Sequence, residues 1–200
     1  NRDSTSGTQM ALFLRAWGQL DGAAAMEAVN ELGRDPRRRA EAGIAAITGW
    51  ASADPEGAKA HLASLDNELE RGVFAQGIVN GLASSDPNAA TEFVLELEQS
   101  QNQAIASSNR GNGAREWFER GRAYAYDRQL ETIANAQIER GMGTATNWAE
   151  ALPDGAIKAS AFDRVAEHYA KENPTAAAEW VKGHSQHEYA ERAVREVAEE

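Results

Sequence analysis

Cysteine is absent from the chain. This excludes disulfides, thiolate metal sites and thiol catalysis, and leaves the compartment, cytoplasm or cell envelope, open. No apolar run approaches the roughly 20 residues that a membrane helix needs, so no membrane insertion is expected. An excess of positive charge is missing too: 31 acidic side chains face 20 lysines and arginines, a net charge of −11. Nucleic acid and anionic membranes call for a basic face, and this balance argues against both. Runs of alternating β-branched residues, the mark of half-buried strands, do not occur. Nor do an Asn-x-Ser/Thr sequon, a Walker sequence, a Gly-x-Ser-x-Gly elbow or a calcium-loop pattern. An initiator Met and a signal peptide are lacking as well. The polar head "NRDSTSGTQ" reads as the edge of a processed or truncated chain, and residues 1–10 are expected to be disordered.

What is present is a repeated phrase. "WASADPEGAKAHL" at residues 50–62 returns as "LASSDPNAATEFV" at 82–94 and as "YAKENPTAAAEWV" at 169–181. Aligned on Pro55, Pro87 and Pro174, the same register finds weaker copies anchored at Gly22, Gly111 and Met142. Three residues after each anchor stands an alanine: Ala25, Ala58, Ala90, Ala114, Ala145 and Ala177. Seven after stand Val29, Leu62, Val94, Phe118, Ala149 and Val181. Such positions share one face of a 3.6-residue helix. Asp or Asn before Pro starts a helix, because the side chain caps free N–H groups and Pro fits the first turn.

A second helix precedes each anchor. Nine residues before it stand Phe13, Ala46, Ile78, Asn102, Ile133 and Val165; four before, the residue is mostly small (Gly18, Ala51, Ala83, Ser107, Ala170), which lets helices approach closely. Each unit is thus a helical hairpin. Asp35-Pro36 opens one of the pre-anchor helices, running to about Ala51. The anchors are spaced 33, 32, 24, 31 and 32 residues apart, and a period in the low thirties indicates an α-solenoid. The short interval follows Pro87 and contains "EQSQNQAIASSNRGNG", which predicts a shortened helix, a loop and a change of superhelix direction.

Asp-Pro, Ala three residues after the anchor and Trp six after (Trp117, Trp148, Trp180) resemble the tetratricopeptide (TPR) repeat and its bacterial relatives. The likeness runs from Phe13 to about Ala198, with Leu mostly standing where that repeat has Gly, ten residues after the anchor. It implies a right-handed α–α superhelix of about six hairpins, and a concave face that binds proteins or peptides without a cofactor. The domain organisation expected is a disordered segment over residues 1–10 and a single solenoid domain over 11–200. Ala193, Val194, Val197 and Ala198 repeat the apolar pattern of a pre-anchor helix, so the end of the array is expected to continue or to pack on another copy.

Candidate chemistry is sparse. "HSQHE" at 184–188 offers His184, His187 and Glu188 to a metal, but the spacing is not H-x-x-x-H. Ser185 with Glu188 reads better as a capping box, so no metal site is assigned. "GMGT" at 141–144 follows a helix rather than a strand, and its glycines end one helix and start another. Residues 110–128 carry five arginines against three acids, +2 in a chain whose remainder is −13. The simpler reading of that stretch is a helix with i,i+4 pairs on an acidic neighbour. As a contact surface, its Arg115, Arg120, Arg122 and Tyr124 would draw an acidic peptide or protein. A second cluster, Arg34, Arg37, Arg38 and Arg39, sits at the N-terminal end of a helix, where cations are disfavoured. The functional expectation is a non-enzymatic interaction scaffold. The alternative is an enzyme, or an enzyme's helical accessory domain, with a carboxylate-lined groove acting on polysaccharide or peptide.

Overall fold

The structure, a computed structural model, describes residues 2–32, 35–107 and 126–190. Among these residues there are ten α-helices, one 3₁₀ turn and no strand. The helices are α1 (Arg2–Leu20), α2 (Gly22–Glu31), α3 (Pro36–Ala53), α4 (Pro55–Ala63), α5 (Glu68–Ser85) and α6 (Pro87–Ser107), followed by α7 (Asp127–Glu139), α8 (Met142–Ala151), α9 (Ala156–Glu172) and α10 (Pro174–Gly183). The 3₁₀ turn is Glu188–Ala190. No described helix is long and apolar enough to cross a membrane.

One junction is built four times. Asp21, Asp54, Asp86 and Asn173 each stand alone between two helices, with φ from −136° to −152° and ψ from 83° to 95°. The backbone N–H of each closes the helix before it, on the carbonyls of Trp17, Trp50, Leu82 and Tyr169 at 2.6–2.8 Å. Their side-chain oxygens open the helix after it, accepting from the N–H groups of Ala24, Gly57, Asn88 and Ala176 at 3.0–3.1 Å. One residue therefore satisfies groups at the ends of two helices, which is why the turn can be so short. A fifth junction, at Arg140–Gly141, has no side-chain cap; Gly141 turns the chain with φ 118°, a region open mainly to glycine.

The slots three and seven residues after the anchors are filled as the hairpin pattern requires wherever they are described. Ala25, Ala58, Ala90, Ala145 and Ala177 are all 0% exposed. Val29, Leu62, Val94, Ala149 and Val181 are buried one turn further on. Ala114 and Phe118 lie outside the described residues. Before the anchors, Ala46, Ile78, Ile133 and Val165 are fully buried, but Asn102 is exposed and Phe13 is 58% exposed. Phe13 instead packs edge-on against Trp17, rings 5.6 Å apart, on a face of α1 that also exposes Met10 and Leu20.

The chain divides into two compact units, Asn1–Phe93 and Val94–Glu200, where the sequence reading expects one domain over residues 11–200. In the first unit α1 packs on α3 and α3 on α5, while α2 and α4 each contact the long helix before and after them. The long helices meet through glycine: a Cβ on Gly18 would strike the Ala46 carbonyl, and one on Gly49 the Arg15 carbonyl. Between α3 and α5 the buried Thr48 hydroxyl donates to the Gly77 carbonyl at 3.0 Å. In the second unit α9 is central, touching α7, α8, α10 and the 3₁₀ turn.

Two local expectations differ from the structure. From Arg2 onward the head expected to be disordered belongs to α1; residues 2–10 hold no proline and a single glycine, so nothing in them breaks a helix. The polar stretch from Glu98 continues α6 as helix to Ser107, making it the longest described helix rather than a shortened one; residues 108–113 of the stretch lie outside the described residues. Its Gln, Glu and Ala residues are good helix formers, and polarity alone does not end a helix. The capping box read at Ser185 and Glu188 depends on a side chain outside the described ones; the Ser185 hydroxyl donates to the Lys182 carbonyl at 2.8 Å.

Candidate functional site

The four residues singled out by charge, Arg115, Arg120, Arg122 and Tyr124, lie outside the described residues. The described end of that stretch is structural in character. Tyr126 is buried, and Asp127 stands 3.9 Å from Arg164, which also approaches Glu131 at 3.8 Å.

The other arginine cluster leads to a pocket in the first unit. Asp35 caps α3 by accepting from the N–H groups of Arg37 and Arg38 at 3.0 and 3.4 Å, and this sets three arginines around the first turn. Arg37 pairs with Glu41 at 3.0 Å and Arg38 with Asp35 at 3.6 Å. Arg39 turns the other way, half-buried, and donates to the Asn30 side-chain carbonyl at 3.3 Å. Beside it opens a cavity of about 320 Å³ lined by Val29 of α2, Pro36 and Ala40 of α3, and Leu69, Glu70, Val73 and Phe74 of α5. Asn67, also in its wall, caps α5 by accepting from the N–H groups of Leu69 and Glu70 at 3.0 and 3.4 Å. Val29 and Phe74 form a buried floor, and Leu69 stands on the lip, 83% exposed.

Behind the pocket, His61 sits between aromatic rings, 5.5 Å from Trp50 and 6.4 Å from Phe74, centroid to centroid. Burial pushes its pKa below the ordinary value, and the Glu70 carboxylate pushes partly back. Trp50 donates its indole N–H to Asp54 at 3.2 Å, coupling this aromatic group to the α3–α4 junction.

Two further clusters lie in the second unit. Glu131, Asn135, Arg164, Glu167, His168 and Lys171 surround a polar hollow of about 180 Å³. Its charges pair among themselves, Lys171 with Glu167 at 2.7 Å and Arg164 with Glu131, so the hollow holds little unspent charge. At the end of α10, Trp180 stacks on Phe162 at 4.2 Å and donates to Glu150 at 2.7 Å. Glu150 also lies 3.5 Å from His184, whose other ring nitrogen is 2.9 Å from the Trp180 carbonyl. His184 thus braces α8 and α10, and His187 stacks on Tyr189 at 5.0 Å. Among the described residues no group of three His, Asp or Glu side chains is arranged to hold a metal ion. A larger hollow of about 530 Å³, by Leu95, Glu98 and Pro153, has no buried residue in its lining.

The pocket beside Arg39 therefore has both a buried apolar floor and a cation with no carboxylate partner among the described residues. Sequence reasoning missed it because α2, α3 and α5 contribute to it from residues far apart in the chain. Two signals pointed there: arginines at the wrong end of a helix, and Leu69 alone in a polar first turn. The chain matches no family model, no curated protein and no solved structure.

Proposed function

We propose that the chain is a non-enzymatic scaffold for protein or peptide binding, built as a TPR-like, right-handed superhelix of about six helical hairpins. The repeated junction carries this reading. Four times the same capped turn sets a buried alanine and a buried apolar residue at the same distances beyond it. Hairpins that carry their packing residues at fixed places bury them on one another, and such arrays offer extended surface. The packing of α1 on α3 and α3 on α5 supports it. Recognition then works by surface complementarity without a cofactor. Arg115, Arg120, Arg122 and Tyr124 remain a proposed contact surface for an acidic partner.

The test is photo-cross-linking of the purified chain in native extract, with excess unlabelled chain as competitor. A competable partner, lost when Arg115→Glu and Arg122→Glu are combined in a folded variant, supports both scaffold and surface. A partner that survives the charge reversal assigns the surface to structure alone. Turnover of polysaccharide or peptide substrates by the pure chain, with no competable partner, overturns the scaffold reading.

A further inference from the structure

We infer that the cavity between α2, α3 and α5 docks a short peptide segment in which a large apolar side chain neighbours an acidic residue. The apolar side chain fills the space over Val29, Val73 and Phe74, and the carboxylate bonds to Arg39. This rests on the scaffold reading and narrows it to one site and one ligand chemistry.

Size sets the first limit. About 320 Å³ is at the lower end of the range for ligand pockets, room for one anchoring side chain and little else. The floor sets the second: Val29 and Phe74 are buried, Val73 and Ala40 half-buried, so an apolar occupant gains by displacing water. Leu69, projecting from the lip, extends the apolar contact to the neighbouring peptide residue.

Charge sets the third. Of the three described arginines at the start of α3, two are matched by carboxylates and Arg39, among the described residues, is not; its partner Asn30 is neutral. A guanidinium has five N–H donors, so an incoming carboxylate finds donors to spare. The positive end of the α3 dipole adds to the same field, and a cation placed there is favoured only once an anion joins it. Glu70, on the α5 wall, carries the opposite sign. It repels acid on that side, so the peptide's acidic residue lies toward α3. A basic or neutral residue lies toward α5.

A library of random dodecapeptides displayed on phage, selected on the immobilised whole chain, tests this. Enriched peptides are expected to place Asp or Glu next to Phe, Leu or Trp. Binding of the most enriched one, followed by fluorescence anisotropy, should weaken about tenfold or more in Arg39→Glu, the loss typical of one charge-assisted hydrogen bond. Replacing that peptide's acid with Lys should restore binding to Arg39→Glu. Leu69→Ser should weaken binding without changing the charge preference. Leu69 is exposed and Arg39 half-buried, and far-UV circular dichroism checks that each variant is folded. Peptides captured equally by parent and Arg39→Glu overturn the pocket and leave the scaffold standing. A folded chain that enriches nothing overturns the pocket too, and the scaffold is then judged by its cross-linked partner.

Discussion

Single residues here carry more than one duty, and Asp54 shows it most clearly. One carboxylate oxygen accepts from the Gly57 N–H at 3.0 Å, the other from the Trp50 indole at 3.2 Å. Both donors favour the charged form, the Gly57 bond more, and hold its pKa below the usual 3.8. The folded state therefore binds this proton less readily than the unfolded chain. The gain in stability is complete above about pH 3.8 and is lost as pH falls through the lower folded value. Melting temperature against pH should show a shallower acid limb in Asp54→Asn than in the parent. His61 gives a second window. Its pKa is lowered mainly by burial, so the unfolded chain takes up the proton first. Stability is full above about 6.5 and declines as pH drops from there to the folded value. His61→Phe should remove that decline, read as the difference between parent and variant melts from pH 8 to pH 5 or so. Such residues were legible to different degrees. Asp-Pro and Asn-Pro declare a helix start locally, and the cap follows from the chain itself. The burial of His61 depends on Phe74, which reaches it from another helix.

Helices were legible where the code is local and less so where contact decides. The starts of α3, α4, α6 and α10 fall at proline, where the sequence puts them. The length of α6 does not follow from polarity, because its Gln, Glu and Ala residues favour helix. Small residues four before the anchor announced a close approach, and Gly18 provides it; the matching Gly49 and Gly81, six before the anchor, signal the same and went unread. Phe13 fills a slot that is buried in four other helices and yet is exposed, since slot equivalence fixes a direction and not the presence of a neighbour. The Thr48 bond to the Gly77 carbonyl joins two helices at a point that no pattern marks. Thr48→Val keeps the shape and removes the donor, and should cost about 1 kcal/mol in denaturant unfolding.

At the scale of the chain, the repeat is visible in the sequence and the division into two units is not. The register predicts which alanines are buried, but compactness depends on which faces meet. Two substitutions probe the division. Ala58→Leu and Ala177→Leu each force a larger side chain into a fully buried slot, and each should cost about 1–3 kcal/mol. They lie in different units, so their costs should add to within about 0.5 kcal/mol in the double variant. A marked departure from additivity in chemical unfolding would mean that the slots share a cooperative core. The site was legible only as a charge anomaly at Arg34–Arg39, since its floor comes from side chains that the sequence assigns simply to the core.

The one-residue junction also decides where this chain tolerates additional sequence. Asp54 closes α3 with its backbone and opens α4 with its side chain, so any insertion beside it separates two functions that must occur in one residue. The connection from α4 to α5 divides them: Ser64 closes α4 on the carbonyls of Ala60 and His61, and Asn67 separately opens α5. A six-residue epitope between Leu65 and Asp66 should therefore leave the far-UV spectrum and melting temperature close to the parent's. The same epitope between Asp54 and Pro55 should lower both helicity and melting temperature. Labels for imaging, immobilisation or cross-linking belong in the α4–α5 connection.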